Sequence, residues 1–251
     1  MNIISTIQAR TNSSRLPGKV LMKVEGKEIL KWQVDRIKLS RCIDDIVIAT
    51  TNEKCDDQII EFCERERIKY YRGSENNVLE RVAQTINEFQ IDVHVECFGD
   101  SPLVDPSIID EFVNFFMNNE EKYDFISNTI EHTYPAGLEV IVYKGSTLNK
   151  VNDILKKNDP LREHAGYNIT RFPEKFKIYS YKAPPHFRKK EISLEIDEKK
   201  DLDLFSAIIK NFTKQNKEFF SATEILEFLN FNPELSKINS DVKRRWKDLQ
   251  R

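Results

Sequence analysis

The sequence predicts an α/β fold in which a mostly parallel, twisted sheet carries helices on both faces. Short apolar runs alternate with longer amphipathic segments through the first 120 residues, and this alternation is typical of strands joined by right-handed helical crossovers. The run at 46–49 is apolar without interruption, as expected for a strand covered on both faces. A chain of 251 residues is long enough for one sizeable domain of this class.

The elements follow in order along the chain. In the first half we expect strands near 3–7, 46–49, 68–71 and 92–98, and helices near 29–37, 54–66, 76–89 and 106–119. In the second half we expect strands near 125–127, 139–143, 176–182 and 192–196, and helices near 145–157, 162–170 and 200–212. We therefore predict a single domain over 1–251, with a small strand-containing insert or dimerisation segment near 128–190 and an extra helical tail near 213–251. Ligands of such sheets bind beyond the carboxyl ends of the strands, so the loops there are the place to look for chemistry.

The composition excludes several classes of protein. The 39 Lys and Arg residues nearly balance the 41 Asp and Glu residues, whereas a general nucleic-acid binder usually has a basic excess. The four cysteines form no C-x-x-C pair, so neither a zinc site nor a disulfide framework is expected. No membrane span or secretory leader is recognisable, and we predict a cytoplasmic protein. The basic run at 243–247 is interpreted as a solvated helix face.

The loop after the first strand, residues 8–19, is the most informative stretch. It carries Arg10, Arg15 and Lys19 together with four small polar residues and one glycine. Backbone amides of such a loop can bind phosphate oxygens, and the three cations can neutralise a polyphosphate. The loop is not a P-loop, because the upstream glycine and the downstream Ser or Thr are absent. The residues alone leave phosphate binding and a solvated surface loop both open.

Two aspartates are candidate metal ligands. Asp100 is expected just after a strand in a tight turn, and Asp197 is expected between a strand and a helix. Mg²⁺ usually takes one or two protein carboxylates together with phosphate oxygens and water, which two neighbouring strand ends could supply. A turn residue and a helix cap would explain the same aspartates. Glu195 lies on the same side of its expected strand as Asp197 and is a weaker candidate.

Seven blocks of sequence, in order, carry a resemblance to a known family. The first is Gln-Ala-Arg-x-x-Ser-Ser-Arg-Leu-Pro-Gly-Lys-Val-Leu at 8–21, and the others lie at 49–57, 72–81, 99–106, 133–138, 162–164 and 196–202. Together they resemble the cytidylyltransferases that activate sugars for surface polysaccharides, among them the spore coat polysaccharide biosynthesis enzymes. The enzymes that activate acylneuraminate and 3-deoxy-manno-octulosonate are more distantly similar.

The resemblance implies a Rossmann-like nucleotide-diphospho-sugar transferase fold and a reaction. The expected enzyme uses CTP and Mg²⁺ to transfer CMP to a small acidic sugar or phosphorylated acceptor, releases pyrophosphate, and forms a homodimer. No nucleic-acid or membrane partner is expected. The implied catalytic residues are Arg10, Arg15 and Lys19, and the implied metal ligands are Asp100 and Asp197. The implied nucleotide-binding residues are Gln8, Ala9, Arg10, Ser14, Lys19, Arg72, Gly73, Ser74 and Asp100. The implied acceptor-binding residues are Tyr134, Glu139, Arg162, Glu163 and His164.

Some of these assignments have alternatives. Ser74 could simply cap the helix expected near 76, the Tyr134 loop could be a plain hairpin connection, and Arg162 with Glu163 could be a surface ion pair. Relatives often carry arginine at the position of Glu96, and an anion there is expected to alter which acceptor fits. Three other functions stay open: a nucleotidyltransferase for another base, a glycosyltransferase, and a catalytically silent scaffold. A glycosyltransferase is expected to carry an Asp-x-Asp motif, which the sequence at Asp100 does not supply.

Overall fold

The computed structural model describes residues 1–244. Its strands are β1 (Ile3–Gln8), β2 (Lys23–Val24), β3 (Lys27–Glu28), β4 (Asp45–Thr51), β5 (Lys69–Gly73), β6 (Val93–Phe98), β7 (Phe125–Ser127), β8 (Ile141–Lys144) and β9 (Ile178–Ser180). Its helices are α1 (Ile29–Ile37), α2 (Asp57–Glu66), α3 (Val78–Glu88), α4 (Pro106–Met117), α5 (Gly145–Ile154), α6 (Lys199–Lys214) and α7 (Ala222–Phe231).

The main sheet has the strand order β5-β4-β1-β6-β8-β7-β9. β5, β4, β1 and β6 pair in parallel, β8 pairs antiparallel with both β6 and β7, and β9 pairs in parallel with β7. Successive side chains of one strand join different hydrophobic clusters: Ile46 and Ile48 pack with residues of α1, α2 and α4, whereas Val47 packs with residues of α3 and α5. The predicted α/β fold, a mostly parallel sheet with helices on both faces, is confirmed.

The order of the strands creates a crevice at the carboxyl end of β1. The chain passes from β1 through α1 to β4 on one side, while β6 lies on the other side of β1. Such a switch point is where open α/β sheets bind ligands. Gln8 and Phe98, the last residues of β1 and β6, are paired in register. A Cβ atom at Gly99 would lie 2.3 Å from the carbonyl oxygen of Gln8, so only glycine fits there.

Two predicted elements differ in the structure. The helix expected near 162–170 is replaced by the 3₁₀ turns Pro160–Glu163 and Gly166–Arg171. The side-chain amide of Asn168 donates to the carbonyl oxygens of Leu161 and His164, which competes with a regular helical pattern. The strand expected near 192–196 is an extended segment with a single bridge, from Ser193 to Ala136. Its backbone bonds to two loops instead of to a strand.

The segment near 128–190 adds β8 and β9 to the sheet, and the tail after α6 contains α7. The rest of the predicted helical tail, residues 245–251, lies outside the described residues. Within residues 1–244, no helix has both the length and the apolar character needed to cross a membrane.

Candidate active site

The first loop is held in shape by hydrogen bonds to its neighbours. The buried carboxylate of Asp56 accepts from the backbone N–H and from the hydroxyl of Thr11, both at 2.7 Å. The N–H of Gly18 donates to the carbonyl oxygen of Thr11 at 2.7 Å. Gly18 has φ +71°, a left-handed conformation that glycine adopts without strain. The 3₁₀ turn Lys19–Leu21 follows, so this glycine directs Lys19 into the protein.

A cleft of about 250 Å³ opens between this loop and the end of β6. Its lining residues are Gln8, Arg10, Ser13, Ser14, Arg15, Lys19, Val20, Phe98, Gly99, Asp100 and Asp197. Seven of these, all except Ser13, Val20, Phe98 and Gly99, are residues that the sequence singled out. Three cations and two carboxylates thus surround one space at the switch point of the sheet.

Lys19 connects the two aspartates at the bottom of the cleft. Its side chain is 11% exposed, and its Nζ lies 3.2 Å from Asp197 Oδ1 and 3.5 Å from Asp100 Oδ2. The same Nζ donates to the carbonyl oxygen of Ile196 at 2.5 Å. The aspartates meet because the N–H of Ile196 donates to the carbonyl oxygen of Asp100 at 2.7 Å. Asp100 does follow β6, but Asp197 reaches the site from the segment that crosses the loops and not from a neighbouring strand end.

The two arginines of the loop differ in how firmly they are held. Arg15 Nη2 lies 2.5 Å from Asp197 Oδ2, and Arg15 Nη1 lies 3.5 Å from Glu198. Arg10 is 47% exposed and makes a looser contact, 3.7 Å, with Glu75. Arg10 is therefore the more available cation for an incoming anion, whereas Arg15 already stabilises one of the aspartates.

Two further carboxylates lie close enough to Asp100 for their charges to interact. Burial, with the negative charge of Asp100, raises the pKa of Glu139 to about 7. Burial also raises the pKa of Glu195 to about 8, and the negative charges of Glu139, Asp100 and Asp197 act in the same direction. The guanidinium of Arg244 opposes both increases. Glu139 and Glu195 therefore hold their protons more tightly than free carboxyl groups do, which limits the negative charge beside Asp100.

The donor set fits a hard divalent cation that brings its own phosphate ligands. Within residues 1–244, no group of three or more His, Cys, Asp or Glu side chains could enclose a metal ion. Asp100 and Asp197, however, both lie within 3.5 Å of one ammonium group, so they already share a cation. Two carboxylates with phosphate oxygens and water are a common Mg²⁺ environment.

The turn after β5 contacts the first loop through Glu75, but its residues are not among those that line the cleft. Arg72 donates to the carbonyl oxygens of Thr51 and Glu53 at 2.9 Å and pairs with Asp57 at 2.7 Å. The stem of Arg81 packs against Gly73, whose added Cβ would lie 2.8 Å from Arg81 Cγ. The hydroxyl of Ser74 accepts from the N–H of Asn77 at 3.1 Å, and Asn77 is the residue that caps α3. Ala9 is buried below the loop.

The residues expected to bind the acceptor do not form one surface. Tyr134 is buried against Phe112 and Phe187, and Arg162 is buried with its guanidinium donating to Asn77, Asn152 and the carbonyl oxygen of Leu155. Both lie outside the residues that line the cleft, and acceptor contact by these two residues stays a prediction.

The remaining acceptor candidates are more accessible or nearer to the site. Glu163 is exposed, and His164 is half-buried beside Tyr167. Burial lowers the pKa of His164, although the charge of Glu163 acts in the opposite direction. The charge of Asp100 adds to burial in raising the pKa of Glu139, whose carboxylate accepts from the N–H of Gly137 at 2.6 Å. Acceptor contact by these three residues stays a prediction.

Sequence reasoning missed three groups that shape the site. Glu75 holds Arg10 and accepts from Asn12 at 3.1 Å. Ser13 lines the cleft, and its place in the small polar loop could have indicated this. Arg244 is 6% exposed and pairs with Asp201, so the predicted solvated helix face at 243–247 is wrong for this residue.

Comparison with known proteins identifies the family. The cytidylyltransferase family matches residues 4–226. An uncharacterised protein of Methanocaldococcus jannaschii is 35% identical over 245 residues, 98% of this chain and 97% of the relative. The spore coat polysaccharide biosynthesis protein SpsF of Bacillus subtilis is 30% identical over 237 residues, 93% of this chain and 96% of the relative. A solved cytidylyltransferase of Leptospira borgpetersenii superposes with a TM-score of 0.86 at 30% identity, covering 94% of this chain and 96% of that chain. The chain belongs to the cytidylyltransferase family of CTP-dependent nucleotidyltransferases.

Proposed function

We propose that this enzyme transfers CMP from CTP to a small acidic acceptor, a sugar acid or a phosphorylated molecule, in the biosynthesis of a surface glycan. The observation that carries the proposal is the convergence of Asp100 and Asp197 on Lys19 beneath the arginine-containing loop. The name of the B. subtilis relative, a spore coat polysaccharide biosynthesis protein, supports the glycan context.

The chemistry is a direct displacement at phosphorus. An acceptor oxygen forms a bond to the α-phosphorus of CTP, the bond to the β-phosphate oxygen breaks, and pyrophosphate leaves with the electron pair. When the acceptor group is a hydroxyl, its proton passes to solvent. Arg10 binds the triphosphate as the exposed cation, and Lys19 and Arg15 stabilise the charge that grows on the leaving group.

Asp100 and Asp197 would hold Mg²⁺, which when bound neutralises phosphate charge and helps align the reacting groups. These carboxylates are restrained before any ligand arrives: Arg15 fixes Asp197, and the backbone bond from Ile196 fixes the turn of Asp100. Restrained ligands need little reorganisation when the substrate binds, so the site is built for positioning and charge stabilisation. We propose a homodimer as the working assembly, since two-fold dimers are the commonest oligomers.

The test is pyrophosphate release from each of the four nucleoside triphosphates with a panel of sugar acids, sugar phosphates and neutral sugars. We expect turnover with CTP, Mg²⁺ and at least one acidic acceptor. Asp197→Asn and Asp100→Asn should lower kcat by about 100-fold or more, because each removes a charge at the metal position. Asp241→Asn, an exposed aspartate far along the chain, is the control. A folded Asp197→Asn protein with full activity would contradict the two-aspartate site, and turnover restricted to neutral sugars would contradict the acidic acceptor.

A further inference from the structure

The last described residues of the chain return to the cleft. After α7, the 3₁₀ turn Leu235–Lys237 leads to Asn239, which is only 3% exposed. The side-chain amide of Asn239 donates to Asp201 Oδ1 at 2.7 Å and to the carbonyl oxygen of Ser193 at 3.0 Å. These bonds anchor the tail on both sides of the segment that carries Asp197.

Arg244 makes an enclosed contact in this tail. Its side chain is 4% exposed, and its guanidinium forms a two-pronged pair with Asp201, Nη2 to Oδ1 at 2.6 Å and Nη1 to Oδ2 at 3.1 Å. Its Nε lies 3.4 Å from Glu195 Oε1. Parallel arginine–carboxylate bonds fix both position and direction, which a single flexible ammonium cannot do.

Asp201 also binds the backbone of Asp197, so its pairing with Arg244 restrains Asp197 as well. Asp201 Oδ2 accepts from the backbone N–H of Asp197 at 2.9 Å and from that of Glu198 at 2.8 Å. The same carboxylate also accepts from Arg244 and from Asn239, so Asp201 joins the tail to the backbone of Asp197.

Lys243, the residue before Arg244, contacts the arginine that pairs with the carboxylate of Asp197. The carbonyl oxygen of Lys243 accepts from Arg15 Nη1 at 2.9 Å. The second nitrogen of that guanidinium, Nη2, lies 2.5 Å from Asp197 Oδ2. Two consecutive tail residues thus restrain Asp197 by its backbone, through Asp201, and by its carboxylate, through Arg15.

We propose that Arg244 is a positioning residue of the active site, which fixes Asp197 through Asp201 and keeps the tail in place behind Arg15. Arg244 lies beyond residues 4–226, the part of the chain that matches the family, so the site is completed from outside the matched region. The inference rests on the proposed role of Asp197 in catalysis.

The experiment compares Arg244→Ala and Arg244→Lys in the full chain, with Asp241→Ala as the matched control because Asp241 is in the same tail and its ion pair is exposed. For each protein we would measure kcat and KM by pyrophosphate release, the Mg²⁺ concentration for half-maximal rate, the Kd for CTP by calorimetry without acceptor, and the melting temperature. Arg244→Ala should lower kcat by about tenfold or more, as loss of a group that orients a metal ligand usually does, and should raise the half-saturating Mg²⁺ concentration. KM for the acceptor should change by less than about threefold, because the residue orients Asp197 and does not touch the acceptor. For Arg244→Lys, kcat and the half-saturating Mg²⁺ concentration should lie between those of the wild type and of Arg244→Ala, because lysine keeps the positive charge but cannot form two parallel hydrogen bonds.

A purely structural role predicts a lower melting temperature with unchanged kcat and Mg²⁺ dependence of the folded enzyme, and that result would overturn the inference. If Arg244→Ala does not fold, Arg244→Lys decides: full kcat with normal Mg²⁺ dependence would overturn it. Asp197→Asn separates this inference from the proposed function. If Asp197→Asn is active, the proposed catalytic role of Asp197 is wrong. If Asp197→Asn is inactive but Arg244→Ala is fully active, only the positioning role of Arg244 is wrong.

Discussion

Lys19→Met tests whether the lysine holds the two aspartates together. Methionine keeps the length of the stem and removes the charge, so the contacts of Nζ with Ile196 O at 2.5 Å and with Asp197 Oδ1 at 3.2 Å are lost. Hydrogen bonds to charged groups contribute about 1.5–3 kcal/mol each. Arg15 still pairs with Asp197, and the side chain of Asp100 is 34% exposed and can be solvated. We therefore expect the free energy of unfolding to fall by about 3 kcal/mol, the lower end for two such bonds.

For a domain of this size a loss of about 3 kcal/mol corresponds to a decrease of roughly 6–12 °C in melting temperature. Turnover should fall by about 100-fold, because a preorganised charge at the leaving group is removed. Millimolar Mg²⁺ should raise the melting temperature of Lys19→Met more than that of the wild type, since both aspartates have lost their internal cation. Lys23→Met is the control, because the Lys23 side chain is 63% exposed. A Lys19→Met protein with normal turnover and a melting temperature within about 2 °C of the wild type would refute the reasoning.

Three further predictions concern the loop, the buried carboxylates and the assembly. Asp56→Ala removes two hydrogen bonds from Thr11 and one from the hydroxyl of Thr51, so calorimetry should show weaker CTP binding and the free energy of unfolding should fall by about 4.5 kcal/mol, the lower end for three such bonds. The exposed Glu61→Ala is the control, and unchanged CTP affinity would contradict the prediction. Because burial raises the pKa of Glu139 from 4.5 to about 7, the folded state binds this proton more tightly than the unfolded chain, so the contribution of Glu139 to stability should decline between about pH 4.5 and 7 and then level off. Glu139→Gln should reduce that decline in pH-dependent denaturant titrations while the exposed Glu163→Gln should not; identical curves for all three proteins would contradict the assignment. Light scattering at micromolar concentration should show a dimer, and a species of 29.5 kDa would reject it.

The sheet was predictable because its strands carry a pattern of side-chain burial that the sequence displays directly. β4 is the clearest case, with an apolar run whose residues pack on both faces. The expected strand at 192–196 shows where such a pattern misleads. Leu194 and Ile196 are buried, at 3% and 0% exposure, and produce the alternation of a strand. Their N–H groups, however, donate to the carbonyl oxygens of Ala136 and Asp100 in two loops. Periodicity reports which side chains are buried and says nothing of where the backbone finds its partners.

The residues of the cleft were predicted when they follow a strand or belong to a recognisable loop, as Lys19 and Asp100 do. Ion pairs between distant parts of the chain were not. Arg244 and Asp201 are 43 positions apart, and neither lies in a pattern that names the other. Charge and periodicity favoured a solvated position for the basic run at 243–247, because most such runs are solvated. Only the folded structure shows that this guanidinium pairs with the buried carboxylate of Asp201.

Glu96 illustrates how the structure changes the interpretation of a departure from the family pattern. On the sequence, an anion at this position is expected to alter which acceptor fits. The carboxylate is 1% exposed, however, and accepts from Gln8 Nε2 at 2.7 Å, from the hydroxyl of Tyr143 at 2.8 Å and from the N–H of Gly166 at 2.9 Å. Three donors thus satisfy this carboxyl group inside the protein. Because a carboxylate only accepts, it directs the nitrogen of the Gln8 amide towards itself. Gln8 lines the cleft, so an influence of position 96 on acceptor choice stays a prediction, and the orientation of this amide is the route by which it would act.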